Sequence, residues 1–229
     1  MKQLILDGLR RDYSVRERDV GPYAVLKKSG MTFRISSYEI EGLGSMSVID
    51  MSAMLGLMQM ESFILTAEEK DVPIYSGDFI KAAGKCTLLQ EFYDNMLSPL
   101  DAESEQQYRQ VKARYADLPP YETGARWYDS IRYDFTLGAA DKSLKARKEE
   151  IAAAYFDAYL ANVGRAAPAD PAEKKAKTAA YVDGLFTHGG PAVDQFRKLF
   201  GEKTAREIFE KYVFSCRSDG RDSACVKSC

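Results

Sequence analysis

One histidine, His188, in 229 residues leaves little room for imidazole chemistry. It stands in His188-Gly189-Gly190-Pro191, which reads as a turn, so neither a histidine-based metal centre nor a Ser-His-Asp triad has support. A glycine-rich phosphate loop, a G-x-S-x-G elbow, H-E-x-x-H and C-x-x-C are all missing. Cysteines are few: Cys86 lies in a strand-like stretch, and Cys216, Cys225 and Cys229 follow a C-x8-C-x3-C spacing that fits no zinc pattern. That group reads as a reduced tail, with a disulfide or a metal clip as the alternative. No apolar run reaches the length of a membrane span. The opening Met1-Lys2-Gln3-Leu4-Ile5-Leu6-Asp7 meets charge too early for a signal peptide. Charge of one sign is lacking as well: 32 basic against 34 acidic residues give a net −2, which offers no field to nucleic acid or to an anionic membrane. A soluble cytoplasmic protein is the expectation.

What is present divides into two kinds of pattern. Residues 2–19 read as a short amphipathic helix and a polar loop, and 23–94 as about six strands joined by short turns. Met31, Phe33 and Ile35 alternate on one strand face, and Gly42 and Gly44 end that run. Met46–Met54, Leu57–Thr66, Pro73–Ile80 and Lys85–Tyr93 follow, which predicts an antiparallel meander. After Pro99 the periodicity becomes helical. Helices are predicted over 102–115, 141–163, 171–186, 193–200 and 203–214, while aromatic-rich 121–137 is helical or irregular. Gly164 is expected to end the second of these, and Pro171 to sit in the first turn of the third. Strands followed by helices argue an α+β fold. No Pro/Gly/Ser-rich linker interrupts the chain, so 1–214 is read as a single domain and 215–229 as a flexible cysteine-containing tail.

Three acids fall inside these strands: Asp50, Glu61 and Asp78. Strand interiors are depleted in such residues, and an ionised carboxylate between apolar neighbours is costly to bury. They lie at an edge facing water, or they are kept for chemistry. If Leu55-Gly56 is a two-residue turn, Asp50 and Glu61 stand directly opposite each other. Close carboxylates share a proton, and the acid whose pKa is raised can donate near neutral pH.

Pro73-Ile74-Tyr75-Ser76-Gly77-Asp78-Phe79-Ile80 resembles the P-I-F-G-x-D-I-V strand of ferredoxin-dependent bilin reductases and red chlorophyll catabolite reductase. Ala153–Leu160 looks like a helix of that family. Phe196-Arg197-Lys198-Leu199-Phe200-Gly201-Glu202-Lys203 and Ile208–Phe214 resemble its closing L-x-x-x-F-G motif. The likeness runs from about residue 31 to 214. It implies a three-layer α/β/α sandwich with a central, mostly antiparallel sheet covered by C-terminal helices. It also implies a linear tetrapyrrole held between sheet and helices. No bound cofactor or metal is implied, and reduced ferredoxin supplies the electrons.

By the same resemblance Asp78 is the central proton donor. The histidine that some members place seventeen residues earlier is Glu61 here, and a family glutamate falls at Ile49, one step from Asp50. Asp78, Glu61 and Asp50 are therefore the candidate catalytic residues. Arg34, Lys81, Lys85 and Arg132 are candidates for pairing with ligand carboxylates. The expected activity is reduction of a linear tetrapyrrole. The alternative is a non-catalytic tetrapyrrole or small-molecule binding protein on the same fold.

Overall fold

The computed structural model describes residues 1–121 and 124–217. Helix α1 (Lys2–Asp12) precedes strands β1 (Val15–Arg18), β2 (Val25–Lys28), β3 (Met31–Ile40), β4 (Gly44–Ala53), β5 (Met58–Ala67), β6 (Ile74–Ala82) and β7 (Lys85–Tyr93). Helix α2 (Ala102–Ala113) and strand β8 (Leu137–Ala140) lead to helices α3 (Leu144–Arg165), α4 (Pro171–His188), α5 (Pro191–Phe200) and α6 (Glu202–Ile208). A π-helical turn, Phe209–Val213, prolongs α6. The strands form one antiparallel sheet in the order β1-β3-β4-β5-β6-β7-β8, with β2 pairing on the β1 edge of β3.

The six predicted strands correspond to β2–β7. Sequence pattern missed β1 and β8, each of four residues at a sheet edge. Val15-Arg16-Glu17-Arg18 buries no side chain fully, and Leu137-Gly138-Ala139-Ala140 is small throughout, so neither shows a clear period-two pattern. Gly164 does not end its helix; α3 continues to Arg165 and stops before Pro168. His188 is the last residue of α4 rather than part of a free turn.

Alternation decides the layers. Tyr38, Met46, Val48, Phe63, Leu65, Tyr75 and Phe92 face α1, α2 and α3, where Ile5, Leu9, Tyr108, Ile151, Tyr155 and Tyr159 meet them. Tyr75 stacks on Phe92 with ring centroids 4.5 Å apart, and Phe92 packs on Tyr108 at 4.6 Å. Phe33, Ile35, Ile49, Met51, Ile74 and Tyr93 face the opposite way, toward Val182, Leu185, Val193, Phe196 and Phe209 of the C-terminal helices. The result is the three-layer α/β/α sandwich. Ser215 and Cys216 belong to it: Arg18 donates to Ser215 Oγ at 2.6 Å, and Cys216 is a buried free thiol in the second core. The packed chain therefore extends beyond residue 214. Cys225 and Cys229 lie outside the described residues.

Lys174, on α4, anchors the C-terminal layer. Its side chain has no exposure, and its ammonium donates to Val72 O at 2.9 Å, Asn95 O at 3.1 Å, Asn95 Oδ1 at 3.3 Å and Asp71 at 3.4 Å. Asp71 also accepts from the amides of Leu97 and Ser98 at 2.8 Å. Burial pushes the lysine down to about 8, with Asp71 opposing, so it is charged at neutral pH. One cation thus ties α4 to the segments entering β6 and leaving β7. Lys174→Met leaves Asp71 and two carbonyls without that donor and should lower unfolding stability by about 3 kcal/mol, read as a fall in urea midpoint. A midpoint within error of the parent would mean the anchor is dispensable.

Candidate functional site

Asp78 sits in mid-β6, opposite Ser62 on β5 and Leu89 on β7. One row across the sheet reads Ile35, Ile49, Ser62, Asp78, Leu89. This row faces α4–α6, and between them lies a cavity of about 290 Å³. Ile49, Met51, Met60 and Ile80 form its sheet floor; Tyr181 and Leu185 of α4 and Phe209 close it from above. Asp78 Oδ has Ser62 as its hydrogen-bond partner. The carboxyl is only partly exposed and lines the cavity. Burial pushes its pKa up to about 7, the Ser62 bond opposes this, and the charge of Glu91 adds to it.

Glu91, on β7 opposite Ser76, is the second acid of this face. Tyr93 donates to Glu91 Oε2 at 2.8 Å, and Arg132 donates to Oε1 at 3.1 Å while pairing with Asp129 at 2.8 Å. Glu91 and Leu89 also line a neighbouring cleft of about 450 Å³ that holds Arg132, Tyr133 and Lys112. The cavity and this cleft therefore adjoin across the Glu91–Arg132 ion pair. Together they offer an apolar, aromatic slot with one half-protonated carboxyl, plus a cation at its side.

Glu61 and Asp50 do stand opposite each other, but the turn between them is Met54–Leu57, four residues, closed by the Leu57 amide on Met54 O at 3.1 Å. The centre of the hairpin is the same for a two- and a four-residue loop, so the pairing survives the longer turn. Their companionship with Asp78 does not. Glu61 pairs across the sheet with Phe79, and a one-residue offset places a strand side chain on the opposite face. Glu61 and Asp50 line a separate pocket of about 220 Å³ on the α1–α3 side. There Glu61 holds Lys148 and the Met1 amine, the latter at 3.2 Å. Burial raises the proton affinity of Glu61, but these cations outweigh it and its pKa falls below the ordinary range. Burial raises that of Asp50, against the pull of Lys2 and with the push of Glu61. The sites beside Asp78 in its own row are Ser62 and, one strand further, Ile49.

The basic candidates separate in the same way. Arg34 pairs with Asp50 across β3–β4, and Lys81 shares the Phe79 side of β6, so both belong to the other face. Lys85 is exposed at the β6–β7 turn. Arg132 alone of the four adjoins the cavity, through Glu91. Sequence reading passed over Glu91, Tyr93, Tyr128 and Tyr181. The signal for Glu91 was the one used for Asp78, an acid inside an apolar strand. His188 is exposed and packs its ring 5.6 Å from Trp127, away from the cavity lining. No group of three or more metal-ligating side chains occurs among the described residues.

No protein-family model and no curated protein matches this chain. Among solved structures the fold is that of a bilin reductase. One similar structure is phytochromobilin synthase from tomato in complex with biliverdin, with a TM-score of 0.76 over 94% of this chain and 82% of that one. Identity is 14%, so the likeness is one of fold.

A raised carboxyl pKa has a sign that can be measured. Asp78 binds its proton more tightly folded than unfolded, where the value is about 4. Its contribution is therefore fully present at low pH and is lost as pH rises from about 4 to about 7. Asp78→Asn removes this loss. The melting temperature of the variant should gain on the parent across that window and hold its advantage above it. Parallel melting profiles at all pH values would show that the carboxyl is not desolvated.

Proposed function

We propose that this protein is a bilin-reductase-like oxidoreductase that reduces a linear tetrapyrrole with electrons from reduced ferredoxin. The observation that carries the reading is Asp78, a carboxyl with a pKa near 7 on the wall of an apolar cavity between the sheet and the C-terminal helices. Its chemistry suits the task. Reduction of one double bond takes two electrons and two protons, and each electron added to a conjugated ring system raises that system's basicity. An acid that is half protonated at neutral pH and shielded from bulk water can hand over a proton there. Met51, Met60 and Ile80 on one side and Tyr181 and Phe209 on the other would sandwich a flat, conjugated ligand. Arg132 would exchange Glu91 for a ligand carboxylate, as guanidinium groups bind carboxylates in paired geometry. The fold shared with a biliverdin-bound enzyme supports a bilin as the ligand class.

Under anaerobic conditions, reduced ferredoxin and biliverdin should shift the bilin absorption when the protein is added. Asp78→Asn should bind biliverdin with unchanged affinity and lose turnover by roughly a hundredfold or more, the range of a general-acid contribution. An unaltered rate in the variant would remove Asp78 from the mechanism.

A second reading rests on the row beside Asp78. Ser62 and Ile49 supply no proton there, and Glu61 and Asp50 are across the sheet. A row in which Asp78 is the one acid also suits a carrier that binds a tetrapyrrole without reducing it. Tight biliverdin binding with no spectral change under reducing conditions would decide for the carrier.

A further inference from the structure

Charge that cancels over the whole chain is segregated in space. Lys28, Met31, Ala53, Met58, Ala82 and Lys85 form one continuous row across the sheet. The turns β2–β3, β4–β5 and β6–β7 therefore project from the same end. Asp141, whose amide donates to Cys86 O at 3.1 Å, brings the start of α3 to that end as well. Lys27, Lys28, Lys81, Lys85, Lys142 and Lys145 gather there. None of them makes a side-chain hydrogen bond or ion pair among the described residues. The three turn segments, 26–32, 51–60 and 79–88, contain no acid. Asp141, at the start of α3, accepts from the Ser143 amide at 2.7 Å.

The middle turn adds a second feature. Met54 is 67% exposed, Leu55 108% and Leu57 66%. Met54 and Leu55 hold φ values of +51° and +55°, in the left-handed region that bulky residues seldom adopt. Neither packs into the cores. Large apolar side chains held clear of the surface at a strained tip, ringed by unpaired lysines, are not explained by the fold.

We propose that this end of the sheet docks on an anionic lipid surface, with Met54, Leu55 and Leu57 entering the headgroup layer and the lysines contacting lipid phosphates. The shape selects lipid over a folded partner. A convex tip of three protruding chains needs a matching pocket on a protein, whereas a fluid bilayer admits it anywhere. The charge selects an anionic headgroup, because juxtaposed lysines gain affinity near such a surface and lose it with salt. No helix among the described residues is long and apolar enough to cross a membrane, so the contact is peripheral. Leu57 runs directly into Met58 of the cavity lining, so docking would bring the cavity close to the lipid, where a hydrophobic ligand could partition. The surface stands independently of what the cavity holds.

Co-sedimentation of the full chain with vesicles tests this without any bilin. Mixed phosphatidylcholine–phosphatidylserine vesicles should bind it, pure phosphatidylcholine vesicles should bind it far less, and added salt should release it. Lys81→Glu with Lys85→Glu should weaken binding roughly fivefold per lysine lost. Leu55→Asn, a residue better suited to the left-handed region, should weaken it about tenfold while leaving the melting temperature equal or higher. No binding of the parent chain to mixed vesicles would overturn the proposal, as would Leu55→Asn binding as tightly as the parent. Binding to polyglutamate without binding to vesicles would assign the surface to an acidic protein and remove the lipid.

Discussion

Cross-strand register is the constraint on which the rest of this structure depends. A strand turns successive side chains to opposite faces, so a shift of one residue exchanges core for core and site for site. Both faces of this sheet are covered by helices, and each has its own apolar set. A slip in β6 would drive Asp78 into the aromatic stack around Phe92 and turn Tyr75 toward the cavity. The hydrogen-bonded ladder and two buried cores resist that together. Gly77 shows how close the fit is, since a methyl there would overlap the Phe63 ring.

The same register separates two electrostatic environments that lie one residue apart in the ladder between β5 and β6. On one side, Glu61 is drawn into a set of cations and loses proton affinity. On the other, Asp78 has a hydroxyl partner, an apolar floor and the nearby negative charge of Glu91, and its proton affinity rises. Neither environment is a property of the residue type. Each follows from which helices cover the face. Lys174 matters for this reason: it fixes α4, and α4 supplies Tyr181 and Leu185 to the wall of the cavity that Asp78 lines.

Charge balance gives a parallel case. A net −2 over the chain argued against an anionic surface as partner. Folding puts three acid-free turns side by side, and lysines spaced far apart in sequence meet at one end of the sheet. Average charge does not register this, because it contains no information about which segments share an end.

The pattern of residues determined that a strand-rich first half would form an antiparallel meander, that helices would follow, and that Asp78 was out of place in its strand. Period-two and period-3.6 spacing are local, so β2–β7 and the helices α2–α6 were legible, as was the opposition of Asp50 and Glu61 about a hairpin centre. Edge strands β1 and β8 were not, since four residues paired along one side carry no clear period. Tertiary structure alone decided which acids share a cavity. Counting along the chain grouped Asp78 with Glu61 and Asp50, whereas the ladder groups it with Ser62 and brings Glu91 and Arg132 beside it. Distance along a chain does not encode the face of a sheet to the last residue, and in a protein covered on both sides that last residue separates the site from the core.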